Sequence, residues 1–273
     1  MTATTGAVRG YFDYYLNTIR IALAEQFQYR VSNYFFMVGL IGEPIVYLVV
    51  WTTIAQQQGG QVGGLTAGDL AAYYIVWTLV RNMNVVSVGA WDYRVRTGEL
   101  SPALLRPLHP IHWDVGYFAG WKFVVIVLWI PIALALSVLF QPNLSPRLVD
   151  VAVFGVAIWG AYLVRTLTFA LIGLFAFWTS RVWPIVQIVM TLELLLSGRL
   201  VPLSLMPGWA QGVADLLPFK WTFGFPIEAL VGHLPDAELA GGLAAQAIWI
   251  AAGVVGLRLV WPIAVRRYSA VSG

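Results

Sequence analysis

Six apolar stretches, joined by short polar segments, set the pattern of this chain. Each holds about 20 residues, which at 1.5 Å of rise apiece cover about 30 Å, the hydrocarbon thickness of a bilayer. They run over roughly 34–55, 70–90, 116–140, 149–178, 182–197 and 243–264. The pattern predicts an all-α, polytopic membrane protein with six transmembrane helices. The punctuation agrees: Gln56-Gln57-Gln58-Gly59-Gly60 closes the first stretch and the charged run Asp92, Arg94, Arg96 follows the second. Gln141-Pro142-Asn143 ends the third, and Thr179-Ser180-Arg181 makes a tight link between the fourth and fifth.

Ahead of the spans, Phe12, Tyr15, Leu16, Ile19, Leu23 and Phe27 recur at helical spacing, with Asp13, Asn17 and Arg20 on another face. Residues 1–33 therefore read as an amphipathic interfacial helix lying on the membrane surface; the alternative packs it against the bundle. Its first ten residues hold no apolar core, so no cleavable signal peptide is expected. Residues 34–273 read as one six-span domain without repeats or linkers. Within it, the segment 197–232 is apolar but broken by Pro202, Pro207, Pro218 and Pro226. Proline removes a donor and clashes with the preceding turn, so this segment reads as a re-entrant outer hairpin of short helices. Trp209, Phe219, Trp221, Phe223 and Phe225 are expected there at headgroup depth.

Composition narrows the function. Hydrophobic residues make up 59% of the chain and charged residues 11%, against about 25% charged in a soluble domain. The net charge of +3 is small and its basic residues are scattered, which excludes a nucleic-acid partner. The absence of cysteine excludes disulfides and thiol chemistry, and 13 tryptophans suit a protein anchored at headgroup level. Nine arginines, among them Arg9, Arg20, Arg30, Arg94, Arg96 and Arg181, fall on one side of the spans; Arg147, Arg199 and Lys220 fall on the other. Such a bias places both termini and the 92–114 loop in the cytoplasm and the chain in the cytoplasmic membrane.

Intramembrane charges mark a pathway or a partner. Glu43, Arg81, Arg165 and Glu193 fall inside the predicted spans at pairwise matching depths, which predicts two interhelical ion pairs, Glu43–Arg81 and Arg165–Glu193. Tyr74, Trp77, Arg81 and Asn84 share one helical face and read either as lining for a translocation route or as a polar seam between helices. His109, His112 and Asp114 lack a third convincing ligand, and no metal is expected. No P-loop, His-Glu-x-x-His or Gly-x-Ser-x-Gly sequence occurs, so the chain binds no nucleotide by a P-loop and shows no enzyme signature. In the loop after the second span, Ser101 reads as an N-cap, Pro102 as the first helical residue and Pro107 as the stop. The short helix so defined presents Leu104 and Leu105 to solvent.

Gly98-Glu99-Leu100-Ser101 through Leu105-Arg106-Pro107-Leu108 resembles the cytoplasmic loop of ABC-transporter permeases of the second type, an exporter-like class. Ser197-Gly198-Arg199-Leu200-Val201-Pro202-Leu203 through Pro207-Gly208-Trp209 and Leu217-Pro218-Phe219 resembles the outer segment before the last span of that class. The resemblance implies a permease subunit beside a second permease, identical or related, above two ABC ATPase subunits. ATP and Mg would sit on the ATPases, with no cofactor in this chain. It also implies a coupling helix at Glu99, Leu100, Leu104, Leu105 and Arg106, and an outer closure built around Ser197, Arg199, Pro202, Pro207, Trp209, Pro218 and Phe219. The expected activity is outward transport of an amphipathic, drug-like or lipid-like compound. Two rival readings remain: an ion-coupled secondary transporter using Glu43 and Glu193, and a polytopic lipid-modifying enzyme.

Overall fold

The computed structural model describes residues 2–28, 30–232 and 234–268. Helix α1 (Thr2–Gln28) is followed in the chain by α2 (Arg30–Gln57). A two-residue antiparallel hairpin follows, β1 (Gln61–Val62) with β2 (Leu65–Thr66), turned by Gly63 and Gly64 at positive φ. It delivers the chain into α3 (Ala67–Met83) through a capping box: the Asp69 N–H donates to the Thr66 hydroxyl and the Thr66 N–H to the Asp69 carboxylate. Then come α4 (Ala90–Thr97), α5 (Leu100–Leu104), α6 (Ile111–Phe140) and α7 (Leu148–Gly173), the last continued by a 3₁₀ turn to Phe177. Helix α8 (Trp183–Leu196) precedes three short helices, α9 (Gly208–Asp215), α10 (Pro218–Thr222) and α11 (Gly224–Val231), and α12 (Asp236–Val265) closes the fold.

Among the described residues three helices are long and apolar enough to cross a membrane: Ile111–Phe140, Leu148–Phe177 and Asp236–Val265. Helix α8 holds 14 residues, about 21 Å of rise, which falls short of a full bilayer core. Helix α3 also departs from the expected span over 70–90, because it stops at Met83. The β-branched run Val85, Val86 and Val88 and the left-handed Gly89 oppose its continuation. Ending a helix inside the bundle frees carbonyls that need donors. The Asn84 carbonyl accepts from Arg165 Nη1 and the Val85 carbonyl from Lys122 Nζ. Two cations from α6 and α7 thus satisfy the negative end of α3.

Glycines set the closest helix approaches. Helix α1 lies along the first half of α6, where a Cβ at Gly120 would come within 2.8 Å of the Ala22 methyl and one at Gly116 within 3.0 Å of Thr18. On the face of α1 turned to α6, Thr18 and Ala22 are buried and Tyr15 half-buried, whereas Phe12 and Phe27 of the expected apolar stripe stay exposed. Helix α12 packs on α7, and the buried Gln246 joins them by donating to the Ala157 carbonyl at 2.9 Å and the Trp221 carbonyl at 2.8 Å. Nearer their N-terminal ends Arg147 links the starts of α7 and α12, pairing with Asp150 at 2.7 Å and Asp236 at 3.0 Å. Helix α3 is the centre of the core, with Tyr74, Trp77, Val80 and Met83 packed against Leu48, Phe223 and Ile227.

Candidate functional site: two charged clusters around one phenyl ring

Glu43 on α2 and Arg81 on α3 meet with Oε2 and Nη2 2.6 Å apart. Arg199, just past α8, approaches the other carboxylate oxygen at 3.6 Å. Two guanidiniums therefore share one carboxylate, which leaves the cluster one positive charge in excess. Its side chains remain partly open, at 32% for Glu43, 27% for Arg81 and 19% for Arg199. Aromatic rings support it: Arg81 lies 5.7 Å from the Trp77 centroid and Arg199 5.8 Å from that of Phe223. Tyr47 stacks on Tyr74 at 5.3 Å. Among the described residues, Trp77 Nε1, Arg81 Nε and Arg199 Nε are buried without a hydrogen-bond partner. This cluster carries unused donors and positive charge on a surface that is not closed.

The second cluster is closed. Arg165 on α7 donates from Nε and Nη2 to the two carboxylate oxygens of Glu193 on α8, both at 2.8 Å. Its remaining terminal nitrogen donates to the Asn84 carbonyl, and its guanidinium lies 4.8 Å from the Phe169 centroid. It also lies 5.8 Å from the Phe223 centroid. Phe223 thus borders the guanidiniums of both clusters. Its own place is fixed where α10 gives way to α11, with the Gly224 N–H donating to the Ser197 carbonyl at 2.8 Å.

Of the four residues expected along a route, Tyr74, Trp77 and Asn84 are fully buried and only Arg81 keeps an open side. The Tyr74 hydroxyl donates to the Leu200 carbonyl at 2.9 Å, and Asn84 Nδ2 donates to the carbonyls of Val80 and Thr222. Through these two side chains the stripe packs α3 against the segment after α8 and the end of α10, while Trp77 Nε1 and Asn84 Oδ1 stay buried without partners among the described residues.

The 92–114 loop folds into α4 and α5, held to α6 by a bidentate Arg94–Asp114 pair at 2.6 and 2.9 Å. Helix α5 begins at Leu100, with Glu99 as its N-cap, so Ser101 does not cap it. The Ser101 hydroxyl instead bonds the Tyr268 hydroxyl at 2.9 Å. Leu100 is buried beneath Trp91 and anchors the loop, so it has no surface to offer a partner. Leu105 is 89% exposed, Arg106 and Glu99 are exposed, and Leu104 is half-buried. His109 sits between Trp91 and Trp261, its ring centroid 4.2 Å from that of Trp261. Burial, helped by His112, pushes its pKa down to about 4. His112 bonds Tyr15 at 2.7 Å, and with Asp114 held by Arg94 these three side chains do not converge.

In the 197–232 segment the prolines start helices: Pro202 precedes a 3₁₀ turn, Pro207 precedes α9 and Pro218 opens α10. Trp209 is 73% exposed. Phe219, Phe223 and Phe225, expected at headgroup depth, have buried side chains, Phe223 packed against α3 and Phe225 against α7 and α12. Apolar rings this close to the bundle gain more from packing than from the interface. Ser197 is buried, and its hydroxyl accepts from the Arg199 N–H at 3.2 Å, which helps aim Arg199 towards Glu43.

Two intramembrane cations were not singled out from the sequence. Lys122 on α6 is fully buried, with its ammonium 4.9 Å from the Trp121 and Tyr162 centroids and 5.5 Å from that of Phe118. Arg258 lies exposed on α12. A lone basic residue within an apolar run was the available signal for both. Arg199 was placed in the outer segment, and only the fold brings it to Glu43.

No curated protein matches the sequence. The profile of the ABC-2 family transporter proteins matches residues 41–272 of the 273. With most of its length covered, the chain belongs to the ABC-2 family of transporter membrane subunits, and it is a multi-pass ABC permease.

Proposed function

We propose that this permease is the membrane half of an ATP-driven exporter, with the α4–α5 end in the cytoplasm. There Glu99, Leu104, Leu105 and Arg106 dock on two ABC ATPase subunits, which supply ATP and Mg. A second permease, identical or related, faces the Glu43–Arg81–Arg199 surface. An amphipathic compound moves outward between the two permeases, with the 197–232 segment closing the outer side as a re-entrant hairpin and six spans in each half. Helix α1, with Phe12 and Phe27 exposed, would rest its free apolar flank in the membrane interface. The single observation that carries this reading is the open charged cluster: a net positive site, with unused donors, on a chain of the ABC-2 transporter family. The engagement of Glu193 by Arg165 argues against a proton-exchanging role for that carboxylate.

The test is reconstitution of the co-purified complex in vesicles. Arg81→Ala with Arg199→Ala should abolish ATP-dependent uptake into inside-out vesicles while leaving ATPase recovery intact. Leu104→Ala with Leu105→Ala should lower ATPase recovery from an otherwise well-folded permease and, with it, ATP-dependent uptake. Alanine is the best helix former, so that pair keeps α5 and removes only its apolar contact. Transport that persists without ATP and collapses with a protonophore would overturn the reading.

A further inference from the structure

A groove of about 450 Å³ lies between α1, α6, α7 and α12, at the end of the bundle that carries α4 and α5. That volume falls within the roughly 300–1,000 Å³ of small-ligand sites. One part of its wall is apolar, formed by Leu163, Leu167, Ile250 and Val254. The other part is polar, formed by Tyr15, His109, His112 and Arg258. None of its described lining residues is acidic.

Three observations bear on the occupant. Arg258 sits seven residues before the end of α12, about 10 Å of rise, the depth from which a long cationic side chain reaches headgroup level. Among the described residues no carboxylate pairs with it, and from Gly256 to Tyr268 the chain carries Arg258, Arg266 and Arg267 with no acidic residue. His109 Nδ1 accepts from the Ile111 N–H at 3.1 Å, so the neutral ring carries its proton on Nε2, a buried donor without a partner among the described residues. Beyond the groove, α12 presents Ile248, Val255, Leu259 and Ile263 outward, a flank suited to hydrocarbon. The site therefore combines an unneutralised cation, an unused donor and an apolar wall beside a flank suited to hydrocarbon. Basic pockets between membrane helices recognise anionic headgroups by this combination.

We propose that this groove binds one anionic phospholipid from the surrounding bilayer. Its phosphate is held by Arg258 and the His109 ring N–H, and an acyl chain lies along Leu167 and Val254. The site is on the α1–α12 flank, separate from the Glu43–Arg81–Arg199 cluster, and it does not depend on how transport is powered.

Native mass spectrometry of the purified permease, titrated with phosphatidylglycerol, phosphatidylcholine or inorganic phosphate, tests this. One phosphatidylglycerol per chain should persist under conditions that strip phosphatidylcholine. Arg258→Ala should weaken that retention about tenfold, and Arg258→Lys should keep most of it. Val254→Trp, which fills the groove while leaving Arg258 in place, should also release the lipid. Millimolar inorganic phosphate should fail to displace it. Equal retention of the two lipids, retention unchanged in both the Arg258→Ala and Val254→Trp variants, or displacement by phosphate alone would overturn the proposal.

Discussion

The two charged clusters border the same phenyl ring and differ in one respect, access. Arg165 and Glu193 are enclosed, with all five of their hydrogen-bonding terminal atoms engaged. Glu43, Arg81 and Arg199 are partly open, mismatched in charge, and have nitrogens left over. A buried pair has lost its hydration and depends on its geometry, so breaking one partner strands a charge. A partly solvated pair loses little when broken and keeps its capacity to bind something else. Similar side chains therefore fix the fold in one place and remain available in the other.

The largest effect should come from breaking the closed pair. Arg165→Ala leaves Glu193 buried without its cation and also removes the donor to the Asn84 carbonyl, and should cost about 3–5 kcal/mol. Adding Glu193→Gln should recover part of that loss. Thermal unfolding of the purified permease measures both, and a double variant no more stable than Arg165→Ala would mean that the pair is not what holds α7 to α8.

A smaller effect is expected at the ring that divides the clusters. Phe223→Leu keeps an apolar side chain but removes the surface facing both guanidiniums, and should cost about 1–3 kcal/mol. It should also make Arg165 accessible to a guanidinium-reactive dicarbonyl such as phenylglyoxal, read by peptide mass mapping. An Arg165 as protected as in the wild type would show that the partition does not rest on Phe223.

The open cluster should respond least in stability. A double-mutant cycle on Glu43→Gln and Arg81→Gln should give a coupling below about 1 kcal/mol, shrinking as salt is raised. A salt-independent coupling of several kcal/mol would erase the contrast between the clusters.

His109 lies outside both clusters and serves as a control. Its folded-state pKa, about 4, is below the 6.5 of a free histidine, so the unfolded state binds the proton first. The contribution of neutral His109 is fully present above about pH 6.5 and is lost as the pH falls towards 4. Amide exchange in residues 105–112 should quicken over that window, and His109→Gln should flatten the dependence while leaving the Arg165–Glu193 pair untouched.

The sequence by itself determined the helical class and the spans expected at 116–140, 149–178 and 243–264, since about 20 apolar residues in lipid have no alternative to a helix that satisfies its own backbone. It also indicated which opposite charges would meet, because antiparallel spans of known length bring equal depths together: Glu43 does lie against Arg81, and Arg165 against Glu193. Prolines placed at 202, 207 and 218 marked the starts of short elements for the same local reason. Tertiary structure alone decided access. Whether Arg165 is enclosed and Arg81 open depends on where Phe223 and Arg199 arrive, both carried by a segment whose path no periodicity encodes. The early end of α3 belongs to the same category. A helix stops inside a membrane bundle only where other elements supply donors to its last carbonyls, and here Arg165 and Lys122 do so from distant parts of the chain.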